Sequence, residues 1–393
     1  MKQRILFVID SLGVGGAEKS LVTLLNLLDY SRFEADLQLF AYGGVFEQFL
    51  PEEVNILPPL DYTQFLDAPV WKQMLQPRKM FARVRYSMAI RKQKLLHADK
   101  AVEYWKSIGQ TISSPERRYD IAIAYAQGVP TFYVVDKVDA PKKMAWVNVD
   151  YRLQGTTRDF QRNYYEALDV IVPVSDSSYK TFSEEVYPEF KDKMHIIWDI
   201  NDSGIITRMS LLPSDKPIDH SLPVIMTAGR LNKPQKGYDL ALGAAKILRD
   251  RGVKFRWYAV GEGPYRPEME AYIQENHLED TFVLLGATPN PYAYMRLCDV
   301  YVQTSRHEGF GLTIAEARIL NRPVVCTNFE ACAMQMKDGQ NGLIVKMTPE
   351  CIADGVEKLL NDKALYDRIQ EYLKCEKKGN TEEIEMLYQL ISL

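Results

Sequence analysis

Short apolar runs separated by helix-length stretches, repeated from one end of the chain to the other, leave few folds open to this sequence. RILFVI (4–9), ADLQLF (35–40), IAIAYA (121–126), KMAWVNV (143–149), VIVPVS (170–175) and MHIIW (194–198) are six such runs in the first half. LPVIMTAG (222–229), KFRWYAVG (254–261), FVLLG (282–286), VYVQTS (300–305), PVVCT (323–327) and GLIV (342–345) are six more in the second. Strands that alternate with helices imply parallel sheets covered by helices on both faces, an α/β doubly wound architecture. The stretch NDSGIITRMSLLPSDKPIDHSLP (201–223) breaks the rhythm; it is polar and turn-rich, and reads as a linker. The expected organisation is a first Rossmann-like domain over 1–204, a linker over 205–223, a second Rossmann-like domain over 224–370, and a C-terminal helix over 371–393 that packs back on the first domain. Ligands in such sheets bind beyond the carboxyl ends of the strands, so two facing sheets would enclose a cleft.

With 393 residues the chain is long enough for two cores. A net charge of −4 argues against a nucleic-acid partner. No apolar run reaches the ~20 residues that span a bilayer, and the N-terminal apolar stretch is too short for a signal peptide. All five cysteines (Cys298, Cys326, Cys332, Cys351, Cys375) lie late in the chain, with no C-x-x-C. Reduced thiols in a cytoplasmic protein fit that pattern better than disulfides or zinc. The sequence has neither H-x-x-x-H nor D-x-D. No metal and no cofactor is therefore expected, and any nucleotide would be held without a metal ion.

One segment stands apart. From Ala68 to Ala98 there is no Asp or Glu, and Lys72, Arg78, Lys79, Arg83, Arg85, Arg91, Lys92 and Lys94 all lie there. Phe81, Val84, Met88 and Leu95 fall at roughly helical spacing. A basic helix with an apolar stripe suits an anionic membrane surface. The same pattern also fits a solvated basic helix that packs its stripe on its own domain.

Three turns carry the chemistry. VIDSLGVGGAEKSLVTLL runs from a strand into a helix through Gly13, Gly15 and Gly16, where backbone N–H groups could approach a phosphate. It is not the dinucleotide fingerprint, because Glu18 stands where the last glycine would be, and the second strand ends in no acid for a ribose. That disfavours hydride transfer and leaves a plain structural turn as the alternative. In TAGRLNKPQKGYDLALGAA, Arg230 and Lys236 sit between a strand end and a helix. A fork and a point charge together suit a diphosphate, and would stabilise it as a leaving group; two solvated surface cations are the alternative. SRHEGFGLTIAEA (305–317) repeats the layout. The turn Gly309–Phe310–Gly311 would aim the N–H groups of Leu312 and Thr313 at a phosphate. Glu308 could face a sugar, and Glu316, about one turn into the helix, could accept from a ribose diol.

These fragments, with VPVSDSSYKTF and AVGEGPYR, resemble in order and spacing the family 4 glycosyltransferases of the GT-B fold, over nearly the whole chain. The E-x7-E pair Glu308 and Glu316 is the most specific of them. The resemblance implies a retaining, metal-independent hexosyltransferase that moves a sugar from a nucleotide-diphosphate donor, a UDP-sugar, to a hydroxyl of a glycan or lipid-linked acceptor in cell-surface polysaccharide synthesis. It implies a cytoplasmic enzyme, peripheral on the inner face of the plasma membrane. Arg230 and Lys236 would hold the diphosphate, Glu316 the ribose, and Glu308 would lie beside the sugar. Gly15 and Gly16 would approach the diphosphate or the acceptor, and Ala287 and Thr288 the nucleobase. The acceptor side departs from the family pattern: Tyr125 or Gln127 stands where many relatives have a histidine, and AWVNVDY has Asn148 in place of another, with Asp150 close by. A sugar-nucleotide epimerase on the same fold and a non-catalytic partner subunit are the competing readings. A phosphorylase-like enzyme would need a longer chain and a cofactor-binding lysine.

Overall fold

The computed structural model describes residues 2–13, 15–96, 99–149, 151–288 and 290–392, with backbone only for 92–96. It divides into two compact units: residues 1–198 with 382–393, and residues 199–381. The first unit holds β1 (Gln3–Ile9), β2 (Phe33–Leu39), β3 (Asn55–Ile56), β4 (Ile121–Ala124), β5 (Lys142–Val147) and β6 (Val170–Pro173). The second holds β7 (Val224–Ala228), β8 (Arg256–Val260), β9 (Phe282–Gly286), β10 (Val300–Gln303), β11 (Val324–Thr327) and β12 (Gly342–Val345).

The sheet orders are β3-β2-β1-β4-β5-β6 and β12-β11-β10-β7-β8-β9, and the pairings are parallel throughout. Counted within its unit, each sheet has its first strand beside its fourth. Connections leave those two strands toward opposite faces, and their carboxyl ends part to form the crevice where doubly wound sheets bind ligands. The β1/β4 and β7/β10 edges are therefore where each unit can hold one.

The strands are buried on both faces because helices cover both. In the first unit the helix Val129–Lys137 supplies Phe132, Tyr133 and Val134 to the core. In the second, the helix Tyr238–Asp250 buries Leu240, Ala241, Ala244, Ala245 and Leu248, a stripe of helical period.

Three expectations change in detail. MHIIW is not a strand: its backbone bonds to Ile171 and Pro173 but forms only an isolated bridge. The sixth strand is instead the two-residue β3, too short to show as an apolar run. The stretch read as a linker carries a helix, Ser203–Ser210, whose start is set by the Asp202 carboxylate accepting from the N–H groups of Gly204 and Ile205.

The end of the chain is two helices rather than one. Lys363–Cys375 stays with the second unit, and Ile384–Ser392 with the first. In the latter the Tyr388 ring stacks on Phe33 at 5.6 Å, and its hydroxyl accepts from Asp29 N at 2.9 Å. Arg32 lies over both rings. Tyr388→Ala should lower the stability of the first unit by about 3 kcal/mol, read as an earlier urea unfolding transition. An unchanged transition would show that this helix is not part of the unit's cooperative core.

Candidate active site

At the β7/β10 edge the loop after β7 (229–237) meets the loop after β10 (304–311). Lys236 Nζ donates to both Glu308 oxygens, at 2.7 and 2.9 Å. Glu308 Oε1 also accepts from Gln303 Nε2 (2.8 Å) and Ser305 Oγ (2.5 Å). The pair is mostly shielded, with the side chains 19% and 10% exposed. Gln303 is held in turn by the hydroxyls of Tyr301 (3.0 Å) and Thr313 (2.9 Å), both donating to its Oε1. Two expected site residues, Glu308 and Thr313, therefore share one glutamine. A carboxylate with this many donors is a fixed anion whose charge is spent on its neighbours.

The loops are clamped from below. Arg306 makes a bidentate pair with Asp239 (2.9 and 2.7 Å) and donates to the Pro234 carbonyl. Thr304 Oγ1 donates to the Lys236 carbonyl at 2.9 Å. Gly237 starts the helix after Lys236 with φ 63°, and a Cβ there would overlap the Thr304 carbonyl. Only glycine satisfies both demands. The fragment AVGEGPYR supports the same loop: the N–H groups of Gly229 and Leu231 donate to the carbonyls of Val260 and Glu262. Side chains at Gly261 or Gly263 would strike the Gly229 and Leu231 carbonyls.

Arg230 is exposed in the loop after β7 and pairs with no carboxylate among the described residues. Gly311, at φ 82°, precedes the helix Leu312–Ile319, so the N–H groups of Leu312 and Thr313 lie at a helix start. Phe310 instead lines a pocket with Ala315 and Arg318, the last pinned by Glu376 at 3.1 and 2.8 Å. Glu316 lies in that helix and is 1% exposed; its Oε1 accepts from the Tyr292 hydroxyl at 3.0 Å. Burial, then the Glu316 carboxylate, push the Tyr292 phenol upward, so it stays a proton donor. Past β9, Ala287 is exposed, while the Thr288 hydroxyl is already donated to Asp215 at 3.1 Å.

The first unit is less conclusive. Gly15 caps the helix Gly16–Leu27, and the Glu18 carboxylate folds over it, so any phosphate there would meet an anion first. Tyr125, expected on the acceptor side, lies in the interior. It is 1% exposed, stacked on Trp146 at 4.9 Å, with its hydroxyl 2.9 Å from Ser20 Oγ. Residue 125 still belongs to the interior of the β1/β4 edge, where an aromatic fills the core. Asn148 donates to the Tyr125 carbonyl at 2.6 Å, and its own Oδ1 is buried with no partner among the described residues; its N–H faces Gln127 at 3.5 Å. Gln127 is half-buried. Asp150 lies outside the described residues.

Sequence reasoning missed Gln303, Ser305 and Asp10. The first two are polar residues two apart at the end of a buried strand, hence on one side of it, which was the available signal. Asp10 ends β1 at the β1/β4 edge. The residue is exposed by surface area, yet the protein packed around its carboxyl and then the Glu18 carboxylate push it up to about 6.

The architecture defines a two-Rossmann, GT-B-type fold, with a charged candidate site at the β7/β10 crevice of its second unit. Residues 211–375, most of the second unit, match the family described as glycosyl transferases group 1. The chain is 26% identical over 369 residues, 92% of each chain, to N-acetylgalactosamine-N,N'-diacetylbacillosaminyl-diphospho-undecaprenol 4-alpha-N-acetylgalactosaminyltransferase of Campylobacter jejuni. It is 31% identical over 153 residues to alpha-D-kanosaminyltransferase of Streptomyces kanamyceticus, a match spanning 38% of this chain and 39% of that protein. In fold it is similar to Anabaena HepE in complex with UDP-glucose, with a TM-score of 0.68 over the full length of both at 17% identity. The relatives are named as transferases, and nothing among them favours the epimerase or the non-catalytic reading.

Two outcomes test this geometry. Gly237→Ala should displace Lys236 and lower transfer on the order of 100-fold, with the fold retained by circular dichroism; full activity would show that the loop tolerates the shift. The second concerns Asp10. Its folded proton affinity exceeds that of an unfolded aspartate near 3.8, so the native state binds a proton more tightly. Stability therefore falls as pH rises from about 4 to about 6. Asp10→Asn should raise Tm above pH 6 and leave it unchanged near pH 4; a pH-independent difference would remove Asp10 as the cause.

Proposed function

We propose that the chain moves a sugar from a nucleoside-diphosphate donor, a UDP-sugar, to a hydroxyl of a glycan or lipid-linked acceptor in cell-surface polysaccharide synthesis, with retention at the anomeric carbon. The observation that carries this is the Lys236–Glu308 pair at the β7/β10 crevice. It sets a fixed cation, with the unpaired Arg230 nearby in sequence, where a doubly wound sheet binds a phosphorylated ligand. UDP is supported by the UDP-glucose complex of the HepE fold relative. A lipid-linked acceptor is supported by the diphospho-undecaprenol named for the Campylobacter relative.

In this reading Arg230, Lys236 and the N–H groups of Leu312 and Thr313 receive the diphosphate. Charge builds on that group as the C1–O bond breaks and the leaving oxygen takes the electron pair, so the same cations favour the transition state over the ground state. Glu308 is poorly suited to attack C1, because Lys236, Gln303 and Ser305 already draw on its charge. Retention then follows from attack on the face the diphosphate leaves. The acceptor oxygen bonds to C1 and its proton passes to a phosphate oxygen. Glu308 fixes Lys236 and lies beside the sugar. Glu316 takes the ribose, with the Tyr292 hydroxyl holding one of its oxygens.

The test uses Arg230→Ala, Lys236→Ala and Glu308→Ala with a UDP-sugar panel and a polyprenyl-linked acceptor. Lys236→Ala should lower kcat about 100–1,000-fold, as expected for loss of a group that stabilises developing charge. Product formed from an α-linked donor should be α by NMR. Near-wild-type turnover in all three variants, or a β product, would overturn the reading.

A further inference from the structure

The basic segment folds so that its apolar residues are not used by the domain. The helix Pro77–Leu96 packs Ala82 into the core, with Met80 and Tyr86 against it. The stripe Phe81, Val84 and Met88 is a different face. At about 100° per residue the three fall within about 60° of one another, and all three are exposed, Phe81 to 67%. The short helix before it, Val70–Met74, and the turn that follows add Val70, Trp71, Met74 and Leu75, also exposed, Trp71 to 62% and Leu75 to 73%. Only the two residues Leu75 and Gln76 separate these helices, so seven exposed apolar side chains lie between residues 70 and 88. Soluble surfaces seldom carry so many large apolar side chains together without a partner.

The charges around them identify the partner. Arg78 and Arg85 flank one side of the stripe and Arg91 the other, by helical position. No Asp or Glu lies between Ala68 and Ala98, although the whole chain is at −4. Some of the cations are used within the unit: Lys79 pairs with Asp61 at 3.2 Å, Arg83 donates to Gln73, and Arg85 to the Lys106 carbonyl. Lys72, Arg78 and Arg91 have no carboxylate partner among the described residues. Lys72 lies 5.3 Å over the Trp71 ring. A second copy of this chain or another acidic protein could match the charge, but not so many exposed Trp, Leu, Met and Phe side chains interspersed with cations as fully as a bilayer does. Apolar side chains enter the acyl boundary, Trp rests at the headgroups, and cations meet anionic lipid.

We propose that this surface, built by residues 70–91, docks the enzyme on an anionic lipid bilayer by shallow insertion of Trp71, Leu75 and Phe81. The proposal rests on the reading of the acceptor as lipid-linked, and gives that reading its means of access: a soluble domain held at the surface from which the acceptor hydroxyl projects. Among the described residues no helix is long and apolar enough to cross a membrane, so insertion would be peripheral.

Flotation with phosphatidylcholine vesicles, alone or with a third phosphatidylglycerol, tests it on the full chain. Binding is expected to the anionic vesicles only, weakened by high salt. Replacing Lys72, Arg78 and Arg91 by Gln should weaken partitioning on the order of 100-fold, at roughly fivefold per surface cation. Trp71→Ser with Leu75→Ser should abolish it while leaving transfer to a short water-soluble acceptor unchanged, which also shows that the variant folds. Equal binding to neutral vesicles, no binding to either, or a dimer that masks these residues without vesicle binding would overturn the proposal. Transfer to a polyprenyl-linked acceptor without flotation overturns the surface; flotation without such transfer supports the surface and overturns the acceptor reading.

Discussion

In each sheet the first strand lies beside the fourth, and this one adjacency decides where everything else can go. Crossover connections leave β7 and β10 toward opposite faces, so their carboxyl ends are the only neighbouring pair in that sheet not roofed by a shared connection. The two loops that meet there are the ones bearing Lys236 and Glu308. The ion pair is thus a product of topology: residues 72 apart in sequence become bonded because their strands are neighbours. Around it the protein spends Gln303, Ser305, Thr304 and the Arg306–Asp239 pair on holding two side chains still. Such preorganisation is what makes a positive charge useful to a leaving group.

Much of the fold was legible because parallel strands buried on both faces are written as unbroken apolar runs. Where the run was short the reading slipped: Asn55–Ile56 is too brief to register, and MHIIW bonds along β6 without becoming a strand. The helix Ser203–Ser210 was hidden in a polar stretch, although Asp202 followed by Ile206 and Met209 is a cap and a buried face at helical spacing. For the site, the loop position of Lys236 and Glu308 could be read, but not that they bond to each other. That depends on strand order, which no local pattern encodes. Tyr125 shows the opposite failure. A residue at a strand's end may point into the ligand space or into the core, and a one-residue difference in phase decides which.

The two halves of the molecule treat charge differently. The β7/β10 crevice pairs Lys236 with Glu308 and Arg306 with Asp239 and leaves only Arg230 open, so most of its electrostatics act at short range among the described residues. The surface of residues 70–91 leaves Lys72, Arg78 and Arg91 uncompensated in water, where their reach is set by the salt around them. One arrangement suits chemistry on a bound group, the other suits capture of a large charged object.

The helix Ile384–Ser392 completes the first unit by packing Tyr388 against Phe33 and Asp29, residues far earlier in the chain. The second unit, by contrast, is a continuous stretch of chain, 199–381. During synthesis that middle portion can complete its core while the first unit still lacks a piece. The first unit therefore depends on a segment that is synthesised after the whole of the second.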